Sequence, residues 1–120
     1  MMLYSIYNKQ ITKLNPKRKK IIDLFKAKIS ERDLDLIIKD IDLIFDRHES
    51  FNSSFEGSGH WLGTAKELIT KACDNNKETA SGIFGLLIYE HAIDRVDGWQ
   101  FISIDRGTWY NPIIESEELQ

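Results

Sequence analysis

The chain has 120 residues, of which 42% are hydrophobic and 29% charged, and its formal net charge is −3. This length fits one globular domain over residues 1–120, and the composition excludes an intrinsically disordered chain. The single cysteine, Cys73, excludes an intramolecular disulfide and a cysteine-based zinc site. No apolar run approaches the roughly 18 residues of a membrane span, and we expect a cytoplasmic protein without cofactor or metal.

The small net charge conceals a strong asymmetry along the chain. Residues 1–30 carry eight Lys or Arg and one acid, whereas residues 31–60 carry eight acids and three Lys or Arg. The last thirty residues are acidic as well. A protein that mainly binds nucleic acid is basic overall. The acidic body of this chain favours a partner with a basic surface instead.

The first half of the chain predicts a short strand followed by a helical hairpin. Residues 2–7 are rich in strand-forming residues. Asn15-Pro16 is a typical helix start, because Asn caps and Pro fits the first helical position. Ser30 with Asp33 resembles a capping box and predicts the start of a second helix. The two helices together should span residues 16–49.

The second half predicts two more helices and a β-hairpin. Residues 50–60 are mostly turn-forming and are expected to form a loop, held by Phe51 and Phe55. Helices are expected over 64–75 and 77–93, and a hairpin over 99–110. The acidic segment 112–120 is expected to be frayed. The fold class is therefore α+β, with about four helices and a small antiparallel sheet. The C-terminal hairpin forms this sheet, and residues 2–7 are a candidate additional strand.

The second helix has an apolar face and a charged face. On a helical wheel its large apolar residues fall in a stripe of about 120°, which predicts core packing. Leu36 and Leu43 lie on the opposite side among charged residues. Either the loop at 50–60 covers them, or they form a small exposed apolar centre inside a charged rim, as in an interface. Asp35, Asp42 and Asp46 should share that exposed face, and reversing the charge of the last two should leave the fold intact.

The fourth helix is apolar on most of its faces, so we expect it at the centre of the fold. Its glycines Gly82 and Gly85 cost about 1 kcal/mol each relative to alanine. We expect a neighbouring element to pack closely against the glycines and so offset this cost. Gly85→Leu would then overpack the contact and destabilise the fold.

The order helix, turn, helix and hairpin over residues 64–110 is that of a winged-helix domain. However, the helix in the recognition position offers no Arg, Lys, Asn or Gln to base edges between Lys77 and Arg95. The basic run Lys17, Arg18, Lys19 and Lys20 is the other candidate for nucleic-acid contact. It could bind phosphate, pair with Glu115, Glu117 and Glu118 of the tail, or remain a solvated surface.

The sequence contains none of the standard catalytic motifs for acyl transfer, nucleotide binding or zinc proteolysis. The best acid–base or metal cluster is Glu90, His91, Asp94 and Asp97. His91 also falls on the apolar stripe of its helix, where a histidine more often forms a structural hydrogen bond. We therefore expect that the chain is not an enzyme.

Aromatic residues supply a second candidate for partner contact. Trp99 and Trp109 flank the hairpin and, if exposed, would be interface anchors; burial in the core is the alternative. The combined set of expected partner-binding residues is Asp35, Leu36, Lys39, Asp42, Leu43, Asp46, Trp99 and Trp109.

The sequence favours a small protein-binding inhibitor. Examples of this class are immunity proteins that neutralise bacterial toxin nucleases and phage proteins that block host defence. A nucleic-acid-associated regulator using residues 17–20 is the alternative, and a small enzyme centred on His91 is a third.

Overall fold

Four helices and five strands can be placed in the part of the chain that the computed structural model describes, which is residues 3–5, 7, 9–53, 64–105 and 107–113. The helices are α1 (Pro16–Lys26), α2 (Glu31–Asp46), α3 (Thr64–Ala72) and α4 (Lys77–Asp94). The strands are β1 (Leu3–Ser5), β2 (Gln10–Ile11), β3 (Phe51–Asn52), β4 (Trp99–Ser103) and β5 (Thr108–Pro112). The predicted α+β class is confirmed.

Side-chain caps fix where three of the helices begin. The carboxamide of Asn15 accepts a hydrogen bond from the Arg18 backbone N–H at 2.8 Å, and Pro16 occupies the first turn of α1. The Ser30 hydroxyl accepts from the Asp33 N–H at 3.1 Å at the start of α2. Asn76 caps α4 in the same way.

Two of the helices end earlier than predicted, because residues in the left-handed region follow them. His48 has φ 53° and its N–H donates to the Phe45 carbonyl, so α2 stops at Asp46 rather than near residue 49. Asp74 and Asn75 also have positive φ, so α3 stops at Ala72 rather than at residue 75. Residues that leave the right-handed region cannot continue the helical hydrogen-bond ladder.

The strands form one mixed sheet in the order β2-β1-β4-β5-β3. The β4–β5 hairpin is antiparallel, as predicted, with Phe101 opposite Tyr110. β1 joins it parallel to β4, with Leu3 opposite Trp99, so the sheet is not purely antiparallel. β2 and β3 were not predicted, and each has only two residues.

The hairpin lies inside the sheet rather than projecting from the fold. β1 pairs with β4 on one side and β3 pairs with β5 on the other. The hairpin strands are therefore inner strands of the sheet.

The core lies between the helices and one face of the sheet, and Phe45 of α2 is at its centre. The Phe45 ring makes edge contacts with Trp99 at 4.9 Å and Phe51 at 5.1 Å between ring centroids. Phe51 in turn stacks on Tyr110 at 5.0 Å. Phe51 thus anchors the start of the 50–60 segment, as expected, whereas Phe55 lies outside the described residues. No helix in the described part of the chain is long and apolar enough to cross a membrane.

The expected close packing at the glycines of α4 is not seen among the described residues. A Cβ atom added at Gly82 or Gly85 would meet no atom of the described residues within 4 Å. Both glycines instead line a groove of about 340 Å³, together with Tyr89 and Thr108. The buried side of α4 is carried by its large residues Ile83, Phe84, Leu87, Ile88 and Ile93.

Candidate functional site

The outer face of α2 is the candidate partner surface, and the structure leaves its apolar centre open. Leu43 is 65% exposed and Leu36 is half-buried. Asp35 and Lys39 on the same face are exposed. Of the two interpretations of Leu36 and Leu43, an apolar centre in a charged rim therefore describes Leu43, whereas Leu36 is partly covered.

The acidic residues at the C-terminal end of this face belong to an ion-pair cluster, which we call the Arg95 cluster: Asp42, Asp46, His91, Arg95 and Asp97. Arg95 donates from Nη1 to Asp42 at 3.1 Å and from Nη2 to Asp46 at 3.0 Å. It also donates from Nε and Nη2 to the two oxygens of Asp97, at 2.7 and 3.0 Å. His91 Nε2 lies 2.5 Å from Asp42 Oδ1. One guanidinium thus organises three carboxylates.

Helical spacing brings the cluster together. Asp42 and Asp46 are four residues apart on α2, and His91 and Arg95 are four residues apart at the end of α4, so each pair lies on one side of its helix. Where the two helices meet, the Arg95 guanidinium lies over the Phe45 ring at 5.1 Å. This cation–π contact joins the polar cluster to the aromatic core.

Burial and hydrogen bonding together shift the pKa values of Arg95 and Asp97. Burial acts to raise the pKa of the Asp97 carboxyl. Hydrogen bonding from Arg95, and the Trp99 indole N–H directed towards the carboxylate, lower the pKa by more, so it lies below its usual 3.8. The Trp99 Nε1 atom itself is buried and has no hydrogen bond of ordinary geometry to a described residue. The bond to Asp97 is the main factor that raises the pKa of Arg95. Arg95 and Asp97 are therefore a charged pair at neutral pH.

The structure brings two residues of the candidate acid–base cluster, His91 and Asp97, into the Arg95 cluster and leaves Glu90 and Asp94 outside it. Glu90 pairs with Lys26 of α1 at 2.8 Å, whereas His91 bonds to Asp42 of α2. Asp97 is bound to Arg95, and Asp94 is exposed. His91 thus has the structural hydrogen bond that its place on the apolar stripe suggested. No group of three or more His, Cys, Asp or Glu in the described part of the chain is placed to hold a metal ion.

The two tryptophans proposed as partner anchors have different environments. Trp99 is fully buried between Leu3, Phe45 and Phe51, so it belongs to the core, and its assignment to a partner surface is wrong. Trp109 is 40% exposed on β5, where it pairs with Ile102 and Asn52. Of the two, only Trp109 has a surface that a partner could contact.

The basic run at the start of α1 is exposed, and two of its members have partners. Arg18 lies over the Tyr89 ring at 5.4 Å, and Lys19 pairs with Asp23 at 3.4 Å. Lys17 and Lys20 are exposed. The tail acids Glu115, Glu117 and Glu118, proposed as partners of this run, lie outside the described residues.

Arg95 is the residue of this site that the sequence argument missed. Its signal in the sequence is weak, because it is one cation between Asp94 and Asp97 at a helix exit. Its partners on α2 are about fifty positions away in the chain. No protein-family model, curated protein or solved structure matches this chain.

Proposed function

We propose that this chain is a cytoplasmic inhibitor that binds a protein with a basic surface and occludes it, using the outer face of α2. Toxin nucleases, which immunity proteins neutralise, and host defence proteins, which phage proteins block, are the kinds of partner that fit. The observation that carries the proposal is the exposed Leu43 on a face whose neighbouring charged positions are Lys39, Asp40, Asp46 and Arg47, with Asp35 further along the helix. An exposed apolar residue inside a charged rim is the arrangement found at protein interfaces.

The energetics of this face support binding. Complete burial of a leucine side chain contributes about 1.5–3 kcal/mol. The charged rim adds little affinity but accelerates the encounter with a basic partner, mainly at low salt. A small apolar centre with such a rim fits an interface whose on-rate depends on charge.

The Arg95 cluster holds part of the rim in place. The side chains of Asp42 and Asp46 are 43% and 59% exposed, so their carboxylates remain accessible while Arg95 restrains them. Restraint before binding lowers the entropy lost when the partner arrives. Three carboxylates against one guanidinium also leave an excess of negative charge in the cluster. The cluster therefore presents fixed negative charge beside Leu43.

The test uses residues of this face that do not hold the fold together. The tagged chain is purified from its source cells, a stoichiometric partner is identified, and the association kinetics are measured at low and high salt. Asp35→Lys should slow association severalfold at low salt and much less at high salt. Leu43→Ala should raise the dissociation rate. Asp105→Lys makes the same charge change at an exposed residue of the β4–β5 loop and is the matched control.

Equal association rates for Asp35→Lys and Asp105→Lys, with Leu43→Ala unchanged from wild type, would exclude this face as the interface. Trp109 would then be the next surface to test. Charge reversal of Asp42 and Asp46 is unsuitable for this purpose, because both carboxylates hold Arg95. Their replacement by Lys would affect stability as well as binding, which corrects the expectation that the fold would remain intact.

A nucleic-acid-associated regulator remains the alternative proposal, supported by the exposure of Lys17 and Lys20 on α1. The third hypothesis, a small enzyme centred on His91, also remains a proposal, with His91 and Asp97 both in the Arg95 cluster and Glu90 paired with Lys26.

A further inference from the structure

A second exposed apolar face lies on α1, and its surroundings are basic. Ile21 is 39% exposed and Leu24 is 59% exposed. Lys17 and Lys20 fall on the same face of α1, and Lys28 follows in the turn after the helix ends at Lys26; all three are exposed. The face therefore has two apolar residues among three lysines, which is the opposite charge pattern to the outer face of α2.

This face forms one wall of a groove of about 460 Å³. Ile21, Leu24 and Lys28 contribute from the α1 side, and the buried or nearly buried side chains of Phe25 and Ile83 also line it. The opposite wall is the corner between α3 and α4, with Ala72, Cys73, Asp74, Asn76 and Thr79. The groove is thus largely apolar, with a lysine-bearing wall on one side and the start of α4 on the other.

We propose that this groove binds an acidic amphipathic helix of a partner protein. Such a helix would place apolar residues spaced i, i+3 or i+4 and i+7 against Leu24, Ile21 and Phe25, which is the usual mode of a helix in a groove. Its acidic residues would lie along Lys17, Lys20 and Lys28. The N-terminal end of α4, which borders the groove at Asn76 and Thr79, adds favourable positive potential.

The groove fits a helix better than it fits an anionic membrane. An anionic membrane favours a surface on which positive charge predominates, whereas this groove is lined by Asp74 as well as Lys28, and both charges act on Cys73. The site is also concave, which suits inserted side chains rather than a flat surface. Asp74 further sets a direction, because the acidic side of the bound helix must face α1 and its neutral or basic side must face Asp74.

This proposal is independent of the function proposed for α2. The two surfaces lie on different helices, have opposite charge and fit different partners. Either can fail experimentally without affecting the other.

A pair of synthetic peptides is the probe. The first, about 18 residues long so that it can form a stable helix, has Leu on one face, Glu along the flank that would lie beside α1 and Gln along the flank that would lie beside Asp74. The second has the same composition with the Leu residues distributed around the helix. Binding is measured by fluorescence anisotropy and by protection of Cys73 from a thiol reagent. Cys73 is the single cysteine of the chain and lines the groove, so its protection reports occupancy of this site.

The amphipathic peptide should bind and protect Cys73, and the scrambled peptide should bind at least about tenfold more weakly. Leu24→Glu should weaken binding by at least about tenfold, whereas Leu43→Glu, a similarly exposed leucine on α2, should leave it within about twofold. Replacing Lys17, Lys20 and Lys28 by Gln should weaken binding and flatten its salt dependence. Lys39→Gln is the matched lysine control.

Three results would overturn the proposal. The first is equal binding of the two peptides, or binding without protection of Cys73. The second is binding of vesicles with anionic lipid, lost in Leu24→Glu, when the peptide does not bind; this would assign the face to a membrane. The third is a gain in peptide affinity of more than about fivefold when Glu115, Glu117 and Glu118 become Gln; this would assign the groove to the chain's own tail.

Discussion

Arg95 connects more charged residues than any other side chain described in this chain. Its side chain is only 14% exposed, and it bonds to Asp42, Asp46 and Asp97 while covering the ring of Phe45. The planar guanidinium has five donors in fixed directions, which allows one residue to serve several carboxylates. Lysine has neither the geometry nor the reach for this arrangement.

Replacement of Arg95 by Met should therefore lower the free energy of unfolding by about 1–3 kcal/mol, because three neighbouring carboxylates lose their counter-charge. Arg95→Lys should recover only part of the lost stability, since one ammonium group cannot make the bidentate hydrogen bond to Asp97. The measurement is urea unfolding at neutral pH. Arg32→Met removes an exposed arginine on α2 and should stay within about 0.5 kcal/mol of wild type. Equal stability of Arg95→Met and Arg32→Met would contradict this account.

Two glycines offer a test of opposite sign. Gly82 is an exposed residue inside α4, and an added Cβ would meet no described atom within 4 Å, so Gly82→Ala should stabilise the fold by about 0.5–1 kcal/mol. Gly107 has φ 79° in the β4–β5 loop, so Gly107→Ala should destabilise the fold by about 1 kcal/mol. Thermal unfolding of both variants measures the signs. If Gly82→Ala were less stable than wild type, a neighbouring element would have to pack closely against Gly82, as the sequence predicted.

At the scale of the elements, the turn that follows α4 should weaken in acid. The pKa of Asp97 is lower in the folded protein than its usual 3.8. Because a lowered carboxyl pKa stabilises the fold only while the group is ionised, this contribution is present above about pH 4 and is lost as the pH falls through the folded pKa.

The matched variant for this effect is Asp97→Asn, which cannot ionise. Wild type should be more stable than Asp97→Asn at pH 6, and the difference should shrink as the pH falls to about 3. Urea midpoints at the two pH values give the comparison. A difference that is the same at both values would show that Asp97 acts through packing or neutral hydrogen bonds.

The sequence predicted the helices well, because their signals are local. Asn15, Ser30 and Asn76 precede runs with helical periodicity, and the caps form through residues three positions apart. β2 and β3 were missed because a strand of two residues has no period of its own and is held by its partner strand. The close packing expected at Gly82 and Gly85 is not seen among the described residues. A glycine in a helix shows that the side chain is small, but it does not show whether another element lies beside it.

The candidate site was predictable only in part, for a related reason. The acidic outer face of α2 and the exposed Leu43 follow from the helical wheel. The pairing of Asp42 and Asp46 with Arg95 does not, because it depends on how α2 and α4 cross. The burial of Trp99 likewise depends on β1, which pairs with β4 from more than ninety residues away.

At the scale of the whole molecule, the fold converts the charge asymmetry of the chain into two separate surfaces. The lysines of α1 lie beside Ile21 and Leu24, and the acids of α2 lie beside Leu43. Each surface combines an apolar centre with one dominant charge. The molecule is therefore dipolar although its net charge is only −3.

This arrangement predicts weak binding to duplex DNA. A DNA-binding protein needs several phosphate contacts on one surface, and α1 offers Lys17 and Lys20 while Arg18 lies over Tyr89 and Lys19 pairs with Asp23. The acidic body adds repulsion from the phosphates. The dissociation constant at physiological salt should therefore be about 10 µM or weaker, in the range of non-specific binding. Fluorescence anisotropy with a labelled duplex, over a series of salt concentrations, measures it. Submicromolar binding that is abolished when residues 17–20 are neutralised would favour the nucleic-acid regulator over the protein inhibitor, since only direct phosphate contacts from α1 could supply it against the net negative charge.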